Sequence, residues 1–239
     1  MISSIKLIAF KAVDNLEIAQ HIYDEHKKRL AEFNITTITS SCASWLTNPS
    51  VYCIYAIDED RNKILGAIRI HLADPFNCLP IEDALSQFNV NLRPGINKLM
   101  QNGMVAESCG LWCTGENIVK KINLSTKLFS FETAICRYLN VQYCFGFGPS
   151  HNLDICFKTG FRKHEQFPYP FSYPNEKYQS WVLYKNPISL KDDKEDAKLR
   201  ILINDPHLVY RSEVDNNSII IKYELLNFDH CLDPVEYQK

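Results

Sequence analysis

Residues 104–113 read MVAESCGLWC, and residues 141–161 read VQYCFGFGPSHNLDICFKTGF. Each segment opens with an apolar run of strand-forming residues, which predicts a strand. The second run stops at Gly148-Pro149, and His151 to Thr159 then has the pattern of a short helix closed by Gly160. Between the two strands, residues 125–139 carry an apolar stripe at helical spacing. These segments predict the order strand, helix, strand and short helix.

The flanking sequence predicts further strands and helices. The expected strands are 5–13, a hairpin of 51–58 and 63–72, a later strand at 179–184, and 218–226 near the end. The expected helices start near Asp14 or Asn15 and at Pro80 and Pro94. Residues 34–49 form a loop with at most a short turn, and 189–198 form a solvated helix or a linker. This order predicts one layered α/β domain with a mixed sheet.

Composition excludes several classes of protein. The 239 residues suit one large domain or two small ones. A net charge of -2 argues against a nucleic-acid-binding protein, and 12% aromatic residues argue against intrinsic disorder. No apolar run is long enough for a membrane span or an export signal.

Nine cysteines are spread along the chain and form no CxxC pair. Most of them lie inside apolar runs, where cysteine behaves as a small hydrophobic residue. Together with the lack of an export signal, this predicts reduced thiols and a cytoplasmic protein. Cys109 and Cys113 are four residues apart, but nothing nearby completes a ligand set, so no metal is expected.

Three short motifs in this order resemble the GCN5-related N-acetyltransferase superfamily over residues 5–185. They are Gly66-Ala67-Ile68-Arg69 before Pro-containing segments, Glu107-Ser108 early in the fourth strand, and a strand, His/Asn, short helix and Gly-Phe after residue 141. Within the superfamily, the chain looks closest to the N-acyl amino acid and acyl-homoserine lactone synthases. The resemblance implies a central, mixed, mostly antiparallel twisted sheet flanked by helices.

The sequence also departs from the superfamily at three positions. The phosphate loop with Gly-x-Gly or Gly-x-Ala before the helix is missing. Cys109 stands where an Arg is common, and Cys156 stands where a Tyr often acts as the general acid. These departures favour the alternative of a non-catalytic protein that binds an acyl thioester or a partner protein.

The resemblance implies transfer of an acyl group from acyl-CoA or acyl carrier protein to a small-molecule amine such as an amino acid. Glu107 is the candidate base; an exposed Glu107, or one paired with Arg69, is the structural alternative. Arg69 is expected to orient Glu107 or hold a substrate carboxylate, unless it is a surface residue at the hairpin edge. Cys156 is a candidate acid or nucleophile, unless it is a buried, inert thiol. A short-chain, acetyl-CoA-dependent acetyltransferase is the alternative activity.

The same resemblance implies positions that contact the donor. Backbone amides of Gly110, Leu111 and Trp112 are expected to receive the thioester carbonyl. The candidates for pyrophosphate or phosphopantetheine contact share the loop and helix start after the fourth strand; they are Gly115, Lys120, Lys121, Ser125 and Thr126. For Ser125 the alternative is a simple helix cap. His151 and Asn152 are expected at the pantetheine arm, and the aromatic loop 167–173 lines an acyl tunnel or packs on the sheet.

The expected division is an acyltransferase domain at 1–186 and an extension of unknown role at 187–239. The extension either covers a sheet edge or mediates a homodimer. The acceptor amine and the acyl length stay open at this point.

Overall fold

The computed structural model describes residues 3–36, 38–190, 210–214 and 219–226. The described residues form ten strands of one sheet. The strands are Ser3–Lys11 (β1), Val51–Asp58 (β2), Lys63–Leu72 (β3), Met104–Cys113 (β4), Val141–Pro149 (β5), Arg162–Lys163 (β6), Phe171–Ser172 (β7), Gln179–Lys185 (β8), Tyr210–Val214 (β9) and Ile219–Leu226 (β10). The seven predicted strands are confirmed, whereas β6, β7 and β9 are strands that the sequence pattern did not indicate.

The helices follow the predicted order. They are Leu16–Glu32 (α1), Pro80–Ser86 (α2), Arg93–Met100 (α3), Asn117–Lys121 (α4), Leu124–Tyr138 (α5) and Leu153–Lys158 (α6). The predicted loop 34–49 contains two short 3₁₀ turns, Thr39–Ser41 and Ala43–Thr47. Helix α4 lies where a polar loop was expected, because its buried Val119 anchors one turn against the core.

The sheet is mixed and mostly antiparallel, as expected. Its strands run in the order β6, β8, β5, β4, β3, β2, β1, β10, β9, with β7 paired to β8. Two neighbouring pairs are parallel, β4 with β5 and β1 with β10. The β4–β5 pair therefore sits inside the sheet, connected through α5, and this pair positions the site described below.

Helices cover both faces of the sheet, and strand alternation divides the core between them. On one face, Ala106 of β4 and Cys144 of β5 pack with the apolar stripe of α5 and with α6. On the other face, Val105 and Phe145 of the same strands pack with α2 and α3. Helix α1 covers the part of this second face formed by β1, β2 and β3. Below, these are called the α5 face and the α1 face.

The C-terminal strand extends the same sheet beyond β1. β10 pairs in parallel with β1 from Ser3–Ile219 to Phe10–Leu226. Lys6 of β1 forms an ion pair of 2.9 Å with Glu224 of β10, and a second one of 3.1 Å with Glu59 in the turn after β2. The predicted strand 218–226 is therefore confirmed. The predicted solvated segment 189–198 lies almost entirely outside the described residues.

Among the described residues, none of the helices is both long enough and apolar enough to cross a lipid bilayer.

Candidate functional site

The parallel strands β4 and β5 separate part of the way along their length. Their pairing runs from Met104–Val141 to Ser108–Gly146 and then stops. β4 continues to Cys113 and β5 continues to Pro149. Among the described residues, the edge of β4 that faces β5 therefore has no strand partner beyond Ser108, which leaves its backbone polar groups available to a ligand.

A β-bulge in β4 lies just beyond the point where pairing stops. Ala67 of β3 pairs with Trp112 and Arg69 pairs with Cys109, so β4 contains one extra residue. Gly110 lies in this bulge with a φ of +63°. A Cβ at this position would lie 2.7 Å from Nη2 of Arg69. Both the backbone conformation and the space require glycine. A bulge of this kind re-aims the groups beside a cleft.

A cavity of about 710 Å³ occupies the gap and reaches both faces of the sheet. Eight of the residues predicted for the site line it. They are Glu107, Gly110, Leu111, Trp112, Gly115, His151, Asn152 and Cys156. The structure thus brings together residues from β4, the loop after it, the turn after β5 and α6. Arg69, Lys120, Lys121, Ser125 and Thr126 do not line the cavity.

Glu107 is buried in the wall of this cavity on the α1 face. Its side chain accepts a hydrogen bond at Oε2 from the backbone N–H of Ile81, at 2.7 Å. Burial raises the pKa of Glu107 to about 8, and the Ile81 bond and the charge of Arg69 oppose this only in part. The alternative of an exposed Glu107 is wrong because the residue is 2% exposed. Within the described chain, no ion pair joins it to Arg69.

Arg69 is fully buried in central strand β3 and acts as a structural link. Its guanidinium donates to the carbonyl oxygen of Ser40 and lies 4.0 Å from Sγ of Cys109. It also stacks over Trp45 at 4.2 Å from the ring centroid. The alternative of a surface arginine is wrong, because β3 lies inside the sheet and the 39–47 segment covers it. Arg69 thereby fixes the loop at Ser40 over the cavity.

Cys156 lies at the other end of the cavity, on the α5 face. Burial raises the pKa of its thiol to about 11, so the group is protonated at neutral pH. It packs in the core with Phe161 and Leu183. This environment fits a structural thiol, and its predicted role as an acid stays a prediction.

The candidate phosphate-contacting residues lie outside the cavity lining. Lys120 and Lys121 are exposed residues of helix α4 rather than of a loop. Ser125 is not the cap of α5, contrary to one prediction. The helix begins at Leu124, which is fully buried, and the cap position is Asn123 with a φ of 54°. Ser125 and Thr126 are half-buried in the first turn.

Helix α1 lines part of the cavity, and two of its polar residues there, His26 and Arg29, were missed by sequence reasoning. His26 is 5% exposed and Nδ1 has no hydrogen-bond partner in the described part of the chain. Burial and then the charge of Arg69 lower the pKa of His26 to about 3, so it is neutral. Arg29 donates through Nη1 to Glu32 at 2.9 Å, whereas its buried Nε has no described partner. Ile22, His26 and Arg29 follow one another at intervals of four and three residues, which places them on one helix face. This spacing can be recognised from the sequence alone.

The aromatic loop before β8 closes the same end of the cavity. The hydroxyl of Tyr173 accepts a hydrogen bond from the backbone N–H of Thr39 at 2.7 Å. Tyr173, Pro174 and Tyr178 line the cavity. Tyr173 thus lines the cavity while Phe171 of the same loop packs in the core on the sheet, and the acyl tunnel stays a prediction.

A second buried polar cluster lies behind the α5 face. Glu132, Cys136 and Cys144 bring three possible metal-ligand atoms within 4.8 Å of one another. Nζ of Lys185 lies 2.5 Å from Oε2 of Glu132, so a cation already neutralises the carboxylate. Burial raises the pKa of the Cys136 thiol well above its usual range, and a metal would need that thiol as the thiolate. The cluster fits a buried ion pair better than a metal site.

No protein-family model and no curated protein sequence matches the chain. Several solved structures do match the chain in their fold. FeeM, an N-acyl amino acid synthase from uncultured soil microbes, is 12% identical with a TM-score of 0.55, over 78% of this chain and 93% of FeeM. BjaI, a CoA-dependent acyl-homoserine lactone synthase solved with SAM and isopentyl-CoA, is 11% identical with a TM-score of 0.53, over 94% of this chain and 96% of BjaI. The sheet order and these likenesses show that the chain shares the fold of these two synthases, which is the GCN5-related N-acetyltransferase-like fold that the sequence predicts.

Proposed function

We propose that this protein is an N-acyltransferase that moves an acyl group from an acyl thioester to a small amine. The observation that carries the proposal is Glu107, a buried carboxyl in the wall of a cavity that crosses the sheet between β4 and β5. In the proposed reaction, the amine nitrogen bonds to the thioester carbonyl carbon and its proton moves to Glu107. The carbon–sulfur bond then breaks, and the thiolate leaves with that proton as a free thiol.

Glu107 suits the role of general base. A base works best when its pKa lies near the working pH, and burial raises the pKa of Glu107 to about 8. Oε2 is held by the Ile81 N–H, and among the described residues no hydrogen bond reaches Oε1. That second oxygen is therefore available to an amine or to a bridging water.

The bulge at Gly110 suits stabilisation of the oxyanion. Beyond Ser108, no strand of the described chain pairs with β4 on the β5 side, so its amides are candidates to bind the oxygen as charge develops on it. Gly110, Leu111 and Trp112 all line the cavity there. Backbone donors fixed in a sheet need no rearrangement when the reaction occurs.

The α1 face of the cavity suits an acceptor that carries a carboxylate, such as an amino acid. Arg29 has Nε unpaired within the described chain while Nη1 is bound to Glu32. His26 adds a neutral ring with Nδ1 likewise unpaired there. Buried polar atoms without partners are uncommon, and a ligand is one ordinary explanation. Arginine is suited to carboxylate binding through parallel N–H groups.

The donor in this proposal is acyl-CoA or acyl carrier protein, and no metal takes part. Gly115, His151 and Asn152 line the cavity on the side where β4 and β5 end, which suits entry of the pantetheine arm. Lys120, Lys121, Ser125 and Thr126 lie beyond the cavity lining, where the nucleotide or carrier part of the donor would contact the surface. We place the reaction in the cytoplasm. Residues 187–239 are proposed as an extension of a 1–186 domain, with a homodimer as one of its possible roles.

The test is a panel of acyl-CoA donors from acetyl to palmitoyl with amino acids and with the matching amines that lack the carboxylate. Thiol release and the acylated amine are measured together. Amino acids are expected to react better than their decarboxylated counterparts. Glu107→Gln is expected to lower kcat by about 10²–10⁴-fold, while the exposed Glu165→Gln control keeps full activity.

Three results would overturn this assignment. Unchanged turnover in Glu107→Gln contradicts the role of Glu107 as the general base. Binding of donors without product from any amine supports the non-catalytic alternative. Activity confined to acetyl-CoA supports the short-chain alternative.

A further inference from the structure

We propose that the end of the cavity on the α5 face binds the acyl chain, and that Phe161, backed by the buried Glu132–Lys185 pair, sets the longest chain accepted. This inference rests on the proposed function, because it concerns the donor of that reaction. It names Phe161 as the residue that determines specificity for acyl length.

The end of the cavity on the α5 face is apolar. Its lining there includes Phe129, Cys156, Phe161 and Leu183, and all four belong to the apolar core under α5 and α6. A pantetheine arm carries amides, which would lose their hydrogen bonds here at a cost. A hydrocarbon chain has no such groups and gains from burial. This end therefore suits the acyl chain.

The ring of Phe161 is held by its neighbours. A Cβ at Gly146 would lie 3.1 Å from Cε1 of Phe161, so the ring packs against bare backbone of β5. Phe129 packs edge-on against it with ring centroids 5.9 Å apart. Nζ of Lys185 lies 4.4 Å from the centroid of the Phe161 ring. An aromatic ring in contact with an ammonium group gains electrostatic attraction that is larger when water is absent.

Lys185 is itself held in place by hydrogen bonds inside the protein. Its Nζ donates to Oε2 of Glu132 at 2.5 Å and to Oγ1 of Thr133 at 2.8 Å. The side chains of both Lys185 and Glu132 are 0% exposed. Separating a buried ion pair leaves two charges without compensation. Phe161 therefore cannot retreat toward β8 to lengthen the pocket, since the ammonium behind it cannot move.

The consequence is a hard limit on chain length. An acyl chain that ends before the ring is accommodated, while each further methylene must displace a fixed ring. In an apolar pocket one methylene changes discrimination by about 10–200-fold. We expect a steep fall in kcat/KM beyond one chain length rather than a gradual decline.

The experiment measures kcat/KM and thermal stabilisation for saturated acyl-CoA donors from acetyl to palmitoyl. The variants are Phe161→Ala, Phe161→Leu as a milder version in case alanine impairs folding, and Phe157→Ala as the control. Phe157 is a phenylalanine of α6 that is 44% exposed and outside the cavity lining. Phe161→Ala is expected to raise kcat/KM at least about tenfold for donors longer than the wild-type limit, and Phe161→Leu less. Phe157→Ala is expected to keep the wild-type limit.

Gly146→Ala gives a test of opposite sign. The added methyl group presses on Phe161 and is expected to shift the limit toward shorter chains. The inference is overturned if Phe161→Ala, Phe161→Leu and Gly146→Ala all keep the wild-type chain-length profile. It is also overturned, together with the proposed function, if neither acyl-CoA nor acyl carrier protein loaded with an acyl chain of any length stabilises or is used by the wild type. The first failure leaves acyl transfer intact and the second does not.

Discussion

Two glutamates of this protein are buried to a similar degree in opposite surroundings. Glu107 is 2% exposed and Glu132 is 0% exposed. Glu132 has an ammonium group, from Lys185, at 2.5 Å and a thiol, from Cys136, at 3.1 Å. Glu107 has one backbone N–H, from Ile81, and an open cavity beside it.

The difference between them lies in their partners and not in their burial. A carboxylate paired with a buried cation is stable as an ion, and it serves as scaffold. A carboxyl without such a cation is pushed toward its neutral form, and it then exchanges protons near neutral pH. The first kind builds a wall of the cavity, and the second kind can carry out chemistry in it.

The largest effect on stability is expected from removing the cation of the buried Glu132–Lys185 pair. Lys185→Met leaves Glu132 buried without compensation and is expected to lower the free energy of unfolding by about 3–5 kcal/mol. Urea denaturation measures this, with the exposed Lys177→Met as the matched control. Adding Glu132→Gln to Lys185→Met is expected to recover much of the loss, since no charge then remains buried. A loss below about 1 kcal/mol in Lys185→Met would mean that Glu132, like Glu107, has no cation that stabilises it.

The pH dependence of stability is expected to distinguish Glu107 from Glu132. Glu107 has a pKa of about 8 in the folded chain and a pKa near 4.3 when unfolded, so unfolding releases its proton between these values. The free energy of unfolding should therefore fall as pH rises from about 4.3 to about 8, by at most about 1.4 kcal/mol per pH unit. Glu107→Gln is expected to remove this part of the slope. Equal slopes in the two proteins, measured by urea denaturation across this range, would argue against a neutral Glu107.

A smaller effect is expected from the thiol beside Glu132. The Cys136 thiol donates to Oε1 of Glu132 at 3.1 Å, and hydrogen bonds to charged groups contribute about 1.5–3 kcal/mol. Cys136→Ala is expected to lose stability near the bottom of that range, because a thiol is a weak donor. Cys136→Ser retains a donor and is expected to lose less. A loss in Cys136→Ala as large as in Lys185→Met would mean that the thiol, and not the ammonium, stabilises the carboxylate.

Periodicity and short motifs predicted most of the fold. The hairpin of β2 and β3, the long helices α1 and α5 and the apolar strands β4 and β5 all have strong patterns of spacing. Helix α4 and strands β6, β7 and β9 were not predicted, because elements of two to five residues have little periodicity of their own. The resemblance placed Glu107, Gly110 and His151 on the cavity that the structure contains.

Other parts of the site depend on contacts between distant segments, which spacing does not encode. Nothing in the local sequence of Lys185 indicates that it is buried against Glu132, 53 residues away in the chain. The burial of Arg69 likewise depends on Ser40 and Trp45, which fold over it from two short 3₁₀ turns. Ser125 was expected to cap α5 because serine commonly does so; burial of Leu124 starts the helix earlier.

The central claim is that Glu107 is a carboxyl poised near neutral pH, and its titration tests that claim most directly. Difference infrared spectroscopy of the wild type against Glu107→Gln isolates the C=O stretch of this one protonated carboxyl. The account predicts that this band is present at pH 6 and disappears with a midpoint of about 8. A midpoint below about 5, as in an ordinary glutamate, would contradict it.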